Sequence, residues 1–443
     1  MKTNISGFPE FLPNEQIAFN RIVNTIESHF ESHGFVPMET SAVERVETLL
    51  SKGNDNEIYG LYRLADENSK KDLGLRFDLT VPLARYVSQN AGELVFPFRR
   101  YHIAPVWRGE RPQYGRYRQF YQCDIDIIGD GELSLEHDAE IISLIVKIFR
   151  NLQIPHFHTQ INNKKILSGF FAPLVEPQNL TEAIKLVDKI EKISVEQFET
   201  EMLELLIDKK KITAVRNMFE QHSSHLSLDG YLQKLKSVAA NEEFSQGVEE
   251  LAAVIQILKK LKVDDRFIMI NPRLARGLTY YTGTIFETTF DDVPGIGSIS
   301  GGGRYDNLTM TLGNAKKYPG VGATIGISRL IPRLIELGLV DVHKKSTADV
   351  LITVQDRSLI ASYMFLADKF RALGIKAEVY LQDKPLGAQL TYANKKGIDF
   401  VVIANELELL DSKAILRNLA TRQQEVIRTE FLSIDLKDII LRK

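Results

Sequence analysis

One cysteine, Cys123, and one tryptophan occur in a chain of 443 residues. A single thiol excludes an intramolecular disulfide framework and a cysteine-based zinc site. It also points to a reducing cytoplasm. No apolar run is long enough to cross a bilayer, and the opening MKTNISGFPEFLP carries no apolar signal core. Neither sign of charge dominates, with 55 Lys and Arg against 58 Asp and Glu for a net −3, which argues against an indiscriminate nucleic-acid coat. A structured nucleic acid held by local basic patches stays open. The glycines at 301–303 and at 320, 322 and 326 permit close backbone approach, but no G-K-[ST] follows them, so they form no P-loop. The length predicts two or three domains, and 44% hydrophobic with 26% charged residues is ordinary for a soluble globular protein.

Against this background one stretch stands out, RRYHIAPVWRGERPQYGRYRQFYQCDID at 99–126. Its first twenty residues set six arginines (99, 100, 108, 111, 116, 118) against one acid, Glu110. Guanidinium forks match phosphate oxygens two at a time. Residues 101–107 and 117–128 are β-prone around a Gly- and Pro-bearing loop at 109–115. Alternation puts Arg118, Phe120, Gln122, Asp124 and Asp126 on one face. That face suits a ligand with a planar ring at one end and amino groups at the other. A solvated hairpin with cross-strand charge pairs is the plainer alternative.

Apolar spacing predicts helices over 15–30 and 138–152, with a largely antiparallel sheet over 75–130 between them. From 171 to 261 charged amphipathic helices replace strand signals, at 184–206, 214–219 and 242–261. The segment reads as a helical insertion splitting the sheet domain, or as a helical linker that fills surface. Beyond 346 the pattern becomes strand–helix–strand–helix–strand, predicting a small doubly wound α/β domain. No G-x-G-x-x-G follows its first strand, so it is no dinucleotide-binding unit.

The 98–126 stretch closely resembles motif 2 of class II aminoacyl-tRNA synthetases, in the form found in histidyl-tRNA synthetases. Further segments resemble that family in its order: GFVPMETSAVE (34–44) as motif 1, LRFDLTVPLARYV (75–87) as the α-amino-binding segment, LARGLTYYTGTIFE (274–287) and SGGGRYDNL (300–308) as histidine-specific signatures, and GVGATIGISRL (320–330) as motif 3. The resemblance spans essentially the whole chain. It implies an α+β catalytic domain with a mainly antiparallel sheet at 1–170 and 262–335. It also implies a helical insertion at 171–261 and an α/β anticodon-binding-like domain at 346–443.

The implied activity is ATP-dependent ligation of L-histidine to tRNA(His) through a histidyl-adenylate, in the cytoplasm, by a homodimer using Mg2+. Arg108 and Arg276 are the implied catalytic cations at the α-phosphate, Arg276 also meeting the substrate carboxylate. Arg329 is placed at the γ-phosphate and adenine, and Glu110 and Phe120 at the adenine. Asp78, Thr80 and Gln122 are implied for the α-ammonium. Asp126 and Tyr281 are implied for the imidazole, with Tyr280 beside them. A site that hydrogen-bonds both ring nitrogens rejects apolar analogues without editing. Arg111 and Gln113 are candidate readers of tRNA, and no metal ligand is assigned. Two positions depart from the family pattern: Ser41 stands where motif 1 usually has proline, and Thr279 where the signature often has aspartate. A catalytically silent regulatory subunit of histidine biosynthesis is the alternative, disfavoured by the retained arginines and the C-terminal domain.

Overall fold

In the computed structural model of the chain the described residues are 4–52, 61–64, 72–112, 115–190, 193–219, 227–238, 240–275, 281–307, 316–429 and 434–441. They fall into two compact units, Met1–Pro9 with Ile22–Leu334, and Glu10–Arg21 with Ile335–Lys443.

The strands of the first unit are β1 (Val36–Pro37), β2 (Val43–Arg45), β3 (Arg63–Leu64), β4 (Leu73–Leu75), β5 (Phe98–Trp107), β6 (Gln119–Ile128), β7 (Phe157–Asn163), β8 (Ile268–Ile270), β9 (Thr284–Phe290), β10 (Ser298–Tyr305) and β11 (Gly320–Ile325). β2, β4 and β3 form a small sheet, and the others form an eight-stranded sheet in the order β1-β5-β6-β11-β10-β9-β7-β8. Its inner pairings are antiparallel, as expected, while the outermost, β1 with β5 and β7 with β8, are parallel. β6 shows why the sheet has two characters. Cys123, Ile125 and Ile127 are fully buried on one face, and Gln122, Asp124 and Asp126 are buried on the other. A strand that buries carboxylates opposite its aliphatic side has a core on one face and a polar site on the other.

The helices of the chain up to the end of the sheet are α1 (Pro13–Ser32), α2 (Val46–Leu49), α3 (Thr80–Asn90), α4 (Glu136–Asn151), α5 (Lys164–Phe171), α6 (Leu180–Asp188), α7 (Val195–Leu205), α8 (Ile212–Phe219), α9 (Leu228–Val238), α10 (Glu242–Lys260) and α11 (Ile327–Glu336). α4 buries Ile141, Ile142, Leu144, Ile145 and Ile148 completely and lies against β10 and β11. Arg304 of β10 reaches into that contact, where Asp138 and the carbonyls of Leu133 and Ser134 accept its N–H groups. The helix expected over 184–206 is two helices. Ser194 has extended backbone and accepts from the Gln197 N–H, so its hydroxyl starts a new helix rather than continuing the old one. α10 packs along α5, α4 and β7, which ties the helical segment to the sheet.

The second unit holds β12 (Val350–Ile352), β13 (Ala377–Val379), β14 (Phe400–Ile403), β15 (Lys413–Asn418) and β16 (Gln424–Arg428), with α12 (Ile360–Ala372), α13 (Leu386–Lys396), α14 (Glu406–Leu410) and α15 (Ile434–Leu441). The strand order is β13-β12-β14-β15-β16, parallel across the first three and antiparallel beyond. Val402 of β14 joins one core with Tyr363 and Phe370 of α12. Its neighbours Val401 and Ile403 join another with Ala393 of α13. Helices thus cover both faces, as the alternating pattern predicts, and the β15–β16 hairpin extends the sheet beyond that expectation.

Candidate functional site

The polar face of the large sheet is built by register. Asp126 lies opposite Arg100 of β5 and Gly322 of β11, and Asp124 lies opposite His102 and Thr324. Asp126 pairs with Arg100 at 2.6 Å and accepts from the Tyr305 hydroxyl at 2.6 Å. Burial and the neighbouring Asp126 charge push the Tyr305 phenol up, so it stays a donor. Gln122 donates through Nε2 to Thr324 Oγ1 at 3.2 Å, while its Oε1 has no hydrogen-bond partner among the described residues. Burial raises Asp124 to about 7; Arg100 and Thr324 oppose that shift, and Asp126 and Asp78 add to it. His102 goes the other way, lowered to about 3 by burial and by Arg100 and Arg76, and is therefore neutral.

Glycines keep this face open. A Cβ at Gly322 would stand 2.0 Å from Asp126 Oδ1, and one at Gly320 would stand 2.4 Å from the Tyr305 ring. A Cβ at Gly303 would come within 3.0 Å of the Tyr281 ring. Bare backbone on β10 and β11 is thus the floor over which the carboxylate and the two phenols lie.

The segment before α3 borders this floor. Arg76 donates from Nε to the Pro105 carbonyl at 3.1 Å, and the Trp107 N–H donates to the Arg76 carbonyl at 3.0 Å. Asp78, buried, accepts from the Val81 N–H at 3.0 Å and so caps α3, which begins at Thr80. The next polar group outward is Arg108. Its Nε donates to the Phe77 carbonyl at 3.1 Å, and its guanidinium lies 5.0 Å from the centre of the Phe120 ring. That ring sits on the Leu79, Ala104 and Val106 cluster. A cation held over an aromatic ring and tied to a carbonyl is fixed in position as well as charge.

The loop after Arg108 closes on itself and on two distant segments. The Arg108 N–H donates to the Arg118 carbonyl, and the Arg118 and Gln119 N–H groups both donate to the Gly7 carbonyl. Gly7 has φ +86°, and a Cβ there would meet the Arg118 stem at 2.9 Å. Arg329, in the first turn of α11, donates from Nε to the Gly115 carbonyl at 2.8 Å and from Nη1 to the Ser298 carbonyl at 2.7 Å. The neighbouring Ser328 hydroxyl accepts the Tyr121 N–H at 2.8 Å. Arg108 and Arg329 therefore attach to one loop from opposite ends. Glu110 is 4.0 Å from Arg116 on the same loop, and Arg111 is exposed.

Not all of the arginine run faces this site. Arg99 pairs with Glu140, Arg100 neutralises Asp126, and Arg118 donates to the Glu110 carbonyl. Arg99 and Arg118 serve packing and closure of the loop, and Arg100 holds the site carboxylate Asp126. Arg276, Thr279, Tyr280 and Gln113 lie outside the described residues. Arg100, His102 and Thr324 are among the participants that escaped the sequence reading. Only the register that sets them against Asp126 and Asp124 reveals them.

Comparison with known proteins follows the same path along the chain. The family model for histidyl-tRNA synthetase matches residues 7–330, and the anticodon-binding-domain model matches 349–438. A histidine–tRNA ligase from Clostridium tetani is 41% identical over 426 residues, 96% of each chain. A crystal structure of a histidyl-tRNA synthetase from Nostoc sp. PCC 7120 matches at 36% identity and TM-score 0.88, covering 100% of this chain and 99% of that one. A Bacillus halodurans structure, titled an ATP phosphoribosyltransferase regulatory subunit/histidyl-tRNA synthetase, shares the fold at TM-score 0.73 with 18% identity over 88% of this chain and 96% of that one.

Proposed function

The chain belongs to the histidyl-tRNA synthetase family, and on that premise we propose that it activates L-histidine with ATP and transfers it to tRNA(His). One observation carries the reading. An acceptor-lined floor of Gln122, Asp124 and Asp126 runs along a single strand to a ring, Phe120, that carries the Arg108 guanidinium. An amino acid rich in N–H donors fits the floor, and a triphosphate fits the cationic end.

In the first step the histidine carboxylate attacks the α-phosphate and pyrophosphate leaves. Negative charge builds around phosphorus, and fixed cations aimed at it lower the barrier. Arg108 and Arg276 take this role, and Arg329 holds the far end of the nucleotide. Phe120 and Glu110 take the adenine. Asp78, Thr80 and Gln122 hold the α-ammonium. Asp126 and the Tyr281 phenol face the imidazole, with Tyr280 beside them. Arg100 and Tyr305 fix the Asp126 carboxylate, so its position is set before the substrate arrives. In the second step a terminal ribose hydroxyl of the tRNA takes the histidyl group from the adenylate.

Among the described residues no group of three or more His, Cys, Asp or Glu stands ready for a metal ion. Magnesium in this reading accompanies the triphosphate, where it neutralises phosphate charge. Residues 1–170 and 262–335 form the catalytic domain in this reading, 171–261 the insertion, and 346–443 the anticodon-binding domain. Arg111 and Gln113 face the tRNA. The enzyme works as a cytoplasmic homodimer, and no helix among the described residues is long and apolar enough to cross a membrane.

The test is histidine-dependent exchange of pyrophosphate into ATP, followed by charging of tRNA(His). Exchange with histidine alone among the amino acids supports the reading. Absence of exchange favours the regulatory-subunit reading, which rests on a likeness of fold. Exchange driven by a different amino acid reassigns the pocket.

A further inference from the structure

Asp124 has been matched to no particular group of the substrate so far, yet it occupies the middle of the floor. It is 4% exposed, and its Oδ1 has no hydrogen-bond partner among the described residues. Two residues away on the same face, Gln122 Oε1 is also without a partner there. Thr324 Oγ1 links the two side chains. It accepts from Gln122 Nε2 and donates its single proton to Asp124. This arrangement turns the amide so that its oxygen, not its nitrogen, is left for a ligand. Buried acceptors without donors are costly, and two beside one another call for a group rich in N–H.

The surrounding charges favour a cation. Arg100 is matched by Asp126 at 2.6 Å. Arg76 donates to the Pro105 and Thr40 carbonyls. His102, opposite Asp124 on β5, is neutral. Asp78 adds a further negative charge from the segment before α3. We infer that Asp124 is an additional recognition residue for the substrate α-ammonium, acting with Gln122 Oε1 and held in place by Thr324. The inference rests on the histidine-activating reading and adds to it a residue that senses the amino group. Binding also gives this buried carboxylate an ammonium partner beside the more distant Arg100 and Arg76 charges, so histidine affinity gains from deprotonation of Asp124.

The test uses the full chain with Asp124→Asn and Thr324→Val, both near-isosteric, with thermal midpoints measured for each. The readouts are KM for histidine in pyrophosphate exchange and inhibition by 3-(imidazol-4-yl)propanoate, which lacks only the amino group. Asp124→Asn is expected to raise KM for histidine by about tenfold or more while leaving inhibition by the deaminated analogue within about twofold. Thr324→Val is expected to give a smaller loss in the same direction, and it decides the matter should Asp124→Asn fail to fold. An unchanged KM, or an equal loss for both compounds, overturns the inference. The second result would place Asp124 at the imidazole instead. If the unsubstituted enzyme shows no exchange with histidine, the broader reading fails. If it does and the variants match it, only the role of Asp124 fails.

Discussion

Arg100 and Asp126 form a buried pair at 1% and 5% side-chain exposure, and breaking such a pair leaves a bare charge. Asp126→Ala should therefore cost about 3–5 kcal/mol of stability, read as a fall in denaturant midpoint, together with loss of selectivity for histidine in pyrophosphate exchange. Unchanged discrimination among amino acids would refute the assigned role. Arg276→Ala should lower the adenylation rate far more than histidine affinity, and a normal rate would refute its place at the phosphate. Asp124 gives a pH signature. Its folded value of about 7 lies above the ordinary carboxylate value of 3.8. The folded state thus prefers the protonated form, and the contribution is complete below pH 3.8 and is lost as pH rises through 7. The ligand-free enzyme should lose stability across that window more steeply than Asp124→Asn does, as thermal midpoints in a pH series will show. At this scale the sequence was readable for single side chains on β6, because alternation alone sets their face. It was unreadable for the arginines. Arg99, Arg100 and Arg108 are chemically alike, and only distant partners such as Glu140, Asp126 and Phe120 separate their duties.

Among the elements, β10 and β11 show how a strand can be chosen for what it lacks. Gly322→Ala would put a methyl carbon 2.0 Å from Asp126 Oδ1 and force that side chain off the strand. The expected result is a fold that survives with about 1–3 kcal/mol of strain, alongside loss of histidine activation in the exchange assay. Normal activity would mean that Asp126 need not lie over the backbone. The glycines were visible in the sequence, but their purpose was not, since it depends on cross-strand register with β6 and with Tyr281. Elements with strong local signals, such as α4 with its aliphatic spacing, lie close to their expected bounds. Those decided by one capping side chain, such as the break before α7 at Ser194, do not show in apolar spacing. The parallel pairings of β1 with β5 and of β7 with β8 join segments far apart in sequence, and short strands of this kind carry little pattern of their own.

For the molecule as a whole, family motifs spread over the entire length were legible before any geometry was known. What they did not convey is where Glu10–Arg21 belongs. The compact unit that contains 335–443 also takes Glu10–Arg21, with Asn14 and Arg21 donating to the Val342 and Asp341 carbonyls at 3.1 and 3.2 Å. Such pairings link the start of the chain to a region more than 300 residues later, beyond the range of local patterning. One buried atom now gains a practical meaning. The Cys123 sulfur is wholly inaccessible on the aliphatic side of the strand whose other side carries Gln122, Asp124 and Asp126. Because the chain has a single thiol, alkylation kinetics can clock the opening of that strand without any engineered label. Saturating histidine and ATP should slow the labelling, and a rate indifferent to both would mean that the ligands leave this strand's opening equilibrium untouched.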